Sequence, residues 1–363
     1  MKSKSEIRIA ALVLGFVMAV FSGLSASTNV FFANSYKNPG TVIDASGKSL
    51  FRVDPKDGVI LVLNEIMTPE PPFWVEEPVH HSSTYTVDAS GKTVFRMDDS
   101  ALFRNHGIVG IAYVDGLSTA ILDWKDTVIL DRKGNVTASL PGVCDISLPS
   151  EGTYRVKNAA GKFGYADTNG RIFVDYRFDD GSTYREGLVR VRVGKKWGFL
   201  DRSGNWIVQP TFSQAMNFSE GVACVCSNGI WIFIDKAGKP AVPGVFHSAF
   251  SFKEGLAAVW SNGMYGFIDK TGTWVIPPTY YFADVFSEGL AAVQLKKDGF
   301  FSYIDKHGKQ VISGSFKQAF QFQGPLATVS MRDRTLNDRE YYINQAGFLI
   351  EEGIVAAAFT NGK

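Results

Sequence analysis

The sequence is short of cysteine, histidine and net charge, and each shortage removes a class of explanation. Three cysteines among 363 residues are too few for a disulfide scaffold. Cys224 and Cys226 stand two apart on an expected strand, so their side chains share a face but lie too far apart to bridge. They read as buried, reduced packing residues. The five histidines show no triad-like spacing. A formal charge of +1, from 37 basic and 36 acidic side chains, excludes wholesale attraction to nucleic acid or a membrane surface. The nucleophile-elbow, phosphate-loop and zinc-protease motifs are missing, which argues against a familiar enzyme, and no cofactor is implied. Long uninterrupted helical runs are missing too. Glycine or proline breaks the chain every eight to twelve residues, too often for paired helices, while β-branched and aromatic residues fill the gaps.

What is abundant is glycine (36) and phenylalanine (28), the composition of short aromatic strands joined by tight turns. One stretch recurs. Glu254 to Thr279 reads EGLAAVWSNGMYGFIDKTGTWVIPPT, with close relatives beginning at Glu186, Glu220 and Glu288. Self-similarity at a fixed period marks a repeat architecture. Each unit predicts strand one (such as Gly255 to Trp260), a hairpin (Ser261-Asn262-Gly263), strand two (Tyr265 to Asp269) and an Asp-x-x-Gly turn. Strand three (Trp274 to Ile276) and a connector ending in Glu-Gly follow.

The turn aspartates lie at 167, 201, 235, 269 and 305, with Asn344 as a sixth member. Weaker versions begin at Asp44, Asp88 and Asp131, giving about nine units, with longer loops in the early ones. From each Asp to the next unit's strand one is 21 residues, as in Asp201 to Val222 and Asp305 to Leu326. The hairpin between strands one and two varies in length. A constant segment is expected at a packed joint and a variable one on a surface rim.

The N-terminus carries an address. Lys2, Lys4 and Arg8 precede the apolar run Ile9 to Leu24 and the small residues Ser25-Ala26-Ser27, which predicts a signal peptide over residues 1–27. The run is shorter than the roughly 20 residues of a membrane span. An uncleaved anchor over residues 9–24 is the alternative, and would be the chain's only membrane contact. Export to the periplasm, the cell surface or the medium is the expectation, with degenerate units over 37–150 continuous with well-defined ones over 151–363.

Trp197-Gly198-Phe199-Leu200-Asp201, with Tyr265-Gly266-Phe267-Ile268-Asp269 and Phe163-Gly164-Tyr165-Ala166-Asp167, resembles the motif of the WG-repeat proteins. Trp231-Ile232-Phe233-Ile234-Asp235 loses the glycine, and Phe301-Ser302-Tyr303-Ile304-Asp305 replaces it with serine. The resemblance implies an exported or surface-associated binding protein rather than a shared reaction. Strand two itself alternates two apolar faces, so it should be covered on both sides, and its glycine should admit a neighbouring backbone or ring. A propeller-like all-β array meets these demands, with a β-solenoid as the alternative.

Three groups of residues invite a function. The turn aspartates suggest calcium, but each turn offers a single carboxylate followed mostly by Lys or Arg, so turn capping is the expected role. His80 and His81 stand beside Glu76 and Glu77 in a proline-stiffened insertion, but adjacent histidines in extended chain point apart. No metal or catalytic residue is assigned. The hairpin rim is the stronger candidate. Lys195, Lys196, Lys296, Lys297, Arg332 and Arg334 make it a mildly basic surface on which weak contacts add, suited to a protein or an anionic glycan of the cell envelope. The alternative function is an envelope polysaccharide hydrolase or lyase, which needs acidic residues from several units converging on one pocket.

Overall fold

A computed structural model describes residues 30–35, 38–44, 49–52, 73–75, 85–87, 93–96, 108–114, 117–123, 125–131, 135–332, 338–351 and 354–357. The N-terminal segment 1–27, the paired histidines and Arg334 lie outside these residues. The fold is all-β. Nine separate antiparallel sheets follow one another along the described chain, matching the count of units. Each is a self-contained meander rather than a strip shared by successive coils, which is the blade arrangement of a propeller and not that of a parallel solenoid.

Six of the nine sheets hold four strands where the sequence suggested three, two hold three, and the last holds five. In one, Asp180–Gly181, Val189–Val193, Lys196–Leu200 and Trp206–Phe212 pair in order; in the next, Gln214–Ala215, Val222–Ser227, Ile230–Asp235 and Pro240–Phe246 do the same. The extra element is a two-residue lead strand inside the connector, paired to strand one, as in Asp180↔Arg192 and Ala215↔Val225. It carries no strand signal of its own, because two residues show no alternation. Strand three is also longer than expected: Trp274–Tyr280 runs through both prolines. It pairs only with strand two, and on such an edge a missing N–H costs no ladder bond.

Strand two sits at the centre of the packing. Leu200 joins Tyr165, Phe178 and Tyr184 on one side, while its neighbour Phe199 joins Phe218, Val225 and Ile234 on the other. Ile268 and Phe267 divide in the same way between the clusters of Phe233 and Phe286. Alternating side chains thus bind each sheet to both neighbours, as the two apolar faces required. The 21-residue segment supplies the matching ring. Phe218, Phe252, Phe286 and Phe322 of the connectors meet Phe199, Phe233, Phe267 and Tyr303 at centroid distances of 5.0, 4.8, 4.8 and 5.1 Å. Cys224 and Cys226 are free and buried on this core.

The motif glycine is explained by strand three. Tyr265 pairs with Tyr280 but Phe267 with Ile276, so two residues of strand two face four of a bulged partner. The bulge folds over Gly266. A Cβ there would lie 2.6 Å from the Ile276 carbonyl oxygen and 2.7 Å from the Pro278 nitrogen. Gly198 is equally crowded, by the Val208 oxygen at 2.5 Å.

Candidate binding surface

The meander sorts the loops to two ends. Strand one runs away from the Glu-Gly turn, and strand two returns from the hairpin to the Asp turn. Glu-Gly and Asp turns therefore share one end of each unit, and the hairpins lie at the other.

At the turn end the turn aspartates and the glutamates up to Glu254 are engaged. Each Asp caps its own loop. Asp201 Oδ1 accepts Ser203 and Asn205 N–H, both at 2.9 Å, and Asp305 Oδ1 accepts His307 and Lys309 N–H, both at 2.9 Å. Backbone hydrogen bonds led by that of Asn205 hold the Asp201 carboxyl below its ordinary range. Asn344 makes the same two contacts with its amide oxygen. The geometry thus needs an acceptor and no charge.

The Glu-Gly turns carry more than the sequence reading gave them. Glu151, Glu186, Glu220, Glu254 and Glu288 all take the left-handed conformation, at φ between 51° and 55°, each followed by a positive-φ glycine. A non-glycine residue there is unfavourable, and its side chain supplies the compensation. Glu186 accepts the N–H of Gly221 in the next unit at 3.0 Å, Glu220 that of Gly255 at 3.1 Å, and Glu254 that of Gly289 at 3.0 Å. A cation following the next Asp closes each contact. Arg202, Lys236, Lys270 and Lys306 lie 3.1, 3.2, 3.3 and 3.1 Å from Glu151, Glu186, Glu220 and Glu254. Burial alone would raise the Glu151 carboxyl, but the Gly187 N–H and Arg202 hold it below the ordinary 4.5. Acidic residues of several units do converge here. Each of these four is bound to backbone and to a cation, which is a structural rail rather than a pair of catalytic carboxylates.

The rail ends at Glu288. The next unit places Gly324-Pro325 at the turn, and proline has no N–H to offer. Gln345 stands where Lys or Arg stood, and reaches only the Glu288 carbonyl, at 3.3 Å. Sequence reasoning took the repeated glutamates for turn devices alone. The regular spacing of Glu-Gly and of the Asp-Lys/Arg pairs was the available signal, but their contact spans two units.

At the hairpin end four lysines lack such partners. Lys195, Lys196, Lys296 and Lys297 are exposed, and none forms an ion pair among the described residues. Asp179 and Asp180 at this end are committed elsewhere, Asp179 to Lys162 at 2.5 Å and to the Gly194 N–H at 2.6 Å, and Asp180 to Arg192 at 3.6 Å; the lysine hairpins themselves hold one acid, the exposed Asp298 beside Lys297. The two lysine pairs occupy equivalent hairpins of units separated by two others. Between them stand Asn228-Gly229 and Asn262-Gly263, both with positive φ at both residues, the geometry of tight primed turns. Arg332 closes its strand, its backbone in register with that of Asp338. Among the described residues no cluster of three or more His, Cys, Asp or Glu could hold a metal ion.

The family description "WG containing repeat" matches residues 163–197, 197–231, 233–264, 265–297 and 301–334. Residues 163–334 are WG repeats. The match includes the two units without a Trp-Gly, Tyr-Gly or Phe-Gly pair, which keep the turn and connector residues. No curated protein matches the chain. Among solved structures, the computationally designed Ika8 protein is 11% identical, with 69% of this chain and 89% of that one covered and a TM-score of 0.45. BamB from Moraxella catarrhalis is 12% identical over 75% of this chain and 95% of its own, with a TM-score of 0.44. PorZ of Porphyromonas gingivalis, a surface component of the type-IX secretion system, is 12% identical over 93% of this chain and 46% of its own, at 0.34. None of these likenesses carries an argument about ligand or activity. The WG repeats form an all-β repeat domain.

Proposed function

We propose that the protein is an exported module that holds an anionic partner, a protein or a glycan of the cell envelope, on its hairpin end. One observation carries the reading: the cation directly after each turn aspartate from Asp201 to Asp305 is matched to a glutamate, whereas Lys195, Lys196, Lys296 and Lys297 at the hairpin end form no ion pair among the described residues. A fold that pairs its structural cations so regularly leaves these four for another molecule. Repetition sets them on equivalent loops, where contacts that are weak singly add together. The basic segment and apolar run at the N-terminus support export.

The test is a pull-down from envelope extract with the wild-type chain and with a Lys195→Glu, Lys196→Glu, Lys296→Glu, Lys297→Glu variant. Capture should be lost while thermal stability stays the same, because exposed substitutions usually change stability by no more than about 0.5 kcal/mol. Undiminished capture by the variant would refute the assignment. Fractionation with N-terminal sequencing tests export, and an intact cytoplasmic chain would contradict it.

A further inference from the structure

We infer that the Lys296-Lys297 hairpin and the unit before it form a platform for an acidic polysaccharide, with aromatic faces taking the sugar rings and the lysines their acidic groups. The inference rests on the reading of the hairpin end as the binding face, and names the partner's class.

Two of the platform's four linked rings are residues the repeat does not require. Trp260, Tyr265, Phe282 and Phe301 are half-buried and linked ring to ring across two units, at 4.9, 6.3 and 5.7 Å. Tyr265 and Phe301 hold the first position of the motif, which is aromatic in every well-defined unit. Their neighbours are particular to this place. The residue paired across from the motif aromatic is Arg192, Cys226, Trp260 and Gln294 in four successive units. The first residue of the lead strand is Asp180, Gln214, Ser248, Phe282 and Gln318 in turn. Architecture is satisfied without an aromatic at either position, so Trp260 and Phe282 need another reason.

Earlier units close the same surface with cations. Arg190 and Arg192 lie over the Trp197 ring at 4.7 and 5.8 Å, and Arg155 over Phe163 at 4.9 Å. At Tyr265 and Phe301 the position of Arg190 is taken by Ala258 and Ala292, and no described cation covers either ring. Phe300, the residue before Phe301, is 58% exposed on the hairpin that carries Lys296 and Lys297. An exposed aromatic normally costs solvation free energy, and it gains most from a partner that lies flat on it.

A sugar polymer fits better than a peptide. Strands one and two, which carry Trp260, Tyr265 and Phe301, are paired on both sides and offer no backbone groups to an added strand; the open edge of each sheet is strand three. Recognition falls to ring faces and ammonium tips, which match the C–H face and the carboxylate of a uronic acid.

Binding of the full chain to alginate, dextran and polyglutamate, by affinity electrophoresis and calorimetry at low and high salt, tests the inference. Alginate should bind and dextran should not. Phe300→Ser or Trp260→Leu should weaken alginate binding roughly tenfold with unchanged melting. Should Trp260→Leu unfold the chain, the exposed Phe300 variant decides alone. If both aromatic variants bind alginate normally while Lys296→Glu with Lys297→Glu abolishes it, the platform is wrong and the charge reading stands. Polyglutamate binding that is equally sensitive to Phe300→Ser identifies a peptide partner and overturns the glycan. Indifference of every anionic polymer to the lysine variants overturns the platform and the hairpin-end reading together.

Discussion

Ile232 and Ser302 occupy the place of the motif glycine, yet their units keep the bulged pairing of the others. The facing strand absorbs the difference. Where strand two keeps Gly164, Gly198 or Gly266, strand three presents Tyr176, Pro210 or Pro278; where strand two has Ile232 or Ser302, strand three presents Gly244 or Gly314. A Cβ on Gly314 would collide with the Phe301 carbonyl oxygen, and the Gly314 N–H donates to Ser302 Oγ at 3.1 Å. One glycine per crossing is enough, on either strand. Gly266→Ser alone should therefore cost about 2–3 kcal/mol in urea unfolding. The pair with Pro278→Gly should cost less than the sum of the two single changes. Strict additivity would show that the two positions do not share one space. The Asp turn gives a second test, since Asn344 already performs it. Asp305→Asn should unfold like wild type and Asp305→Ala should lose about 1 kcal/mol, the worth of the backbone contacts.

The Glu-Gly turn acts as an element because its side chain belongs to the next unit's turn as much as to its own. Glu220→Ala removes the acceptor for Gly255 N–H and the partner of Lys270 while leaving the left-handed backbone. A loss of about 1–2 kcal/mol is expected, against under about 1 kcal/mol for Lys270→Ala, whose ammonium is half exposed. Glu220→Gly should fall between, because glycine relieves the backbone cost. The rail also sets a pH response. The Glu151 carboxyl is depressed from 4.5, so its contribution is complete above that value and disappears as the pH falls through the folded-state value. Melting temperature should be level above about pH 5 and decline below it, less steeply in Glu151→Gln. An unchanged slope in that variant would remove the carboxylate from the explanation.

At the scale of the whole molecule, stability passes between the well-defined units through an aromatic joint and, as far as Glu254, a glutamate contact at each step. Such arrays behave as nearest-neighbour chains. Phe252→Ala, which empties the joint beside Phe233, should cost about 3–5 kcal/mol and divide calorimetric unfolding into two transitions. Hydrogen exchange should then rise on both sides of that joint and remain low around Phe322. A single cooperative transition would mean that the units are coupled beyond their neighbours. The two ends of the array divide the labour: the turn end joins the units, and the hairpin end, free of that duty, varies in length and in residue type.

The period, the β class, the capped Asp turns and the close approach at Gly198 are local, and they are legible in the chain because a few neighbouring residues determine each of them. Aromatic spacing likewise marks Phe199 and Leu200 as facing opposite neighbours. The two-residue lead strand, the reach of Glu186 to Gly221, and the exchange of glycine between Ser302 and Gly314 are not local. Each depends on which backbone arrives beside which after the chain has turned, and only the stacked sheets decide that. The same holds for the lysines. Sequence places Lys195 and Lys296 on variable loops, and the tertiary structure distinguishes them from Lys236 and Lys270 by giving only the latter a glutamate.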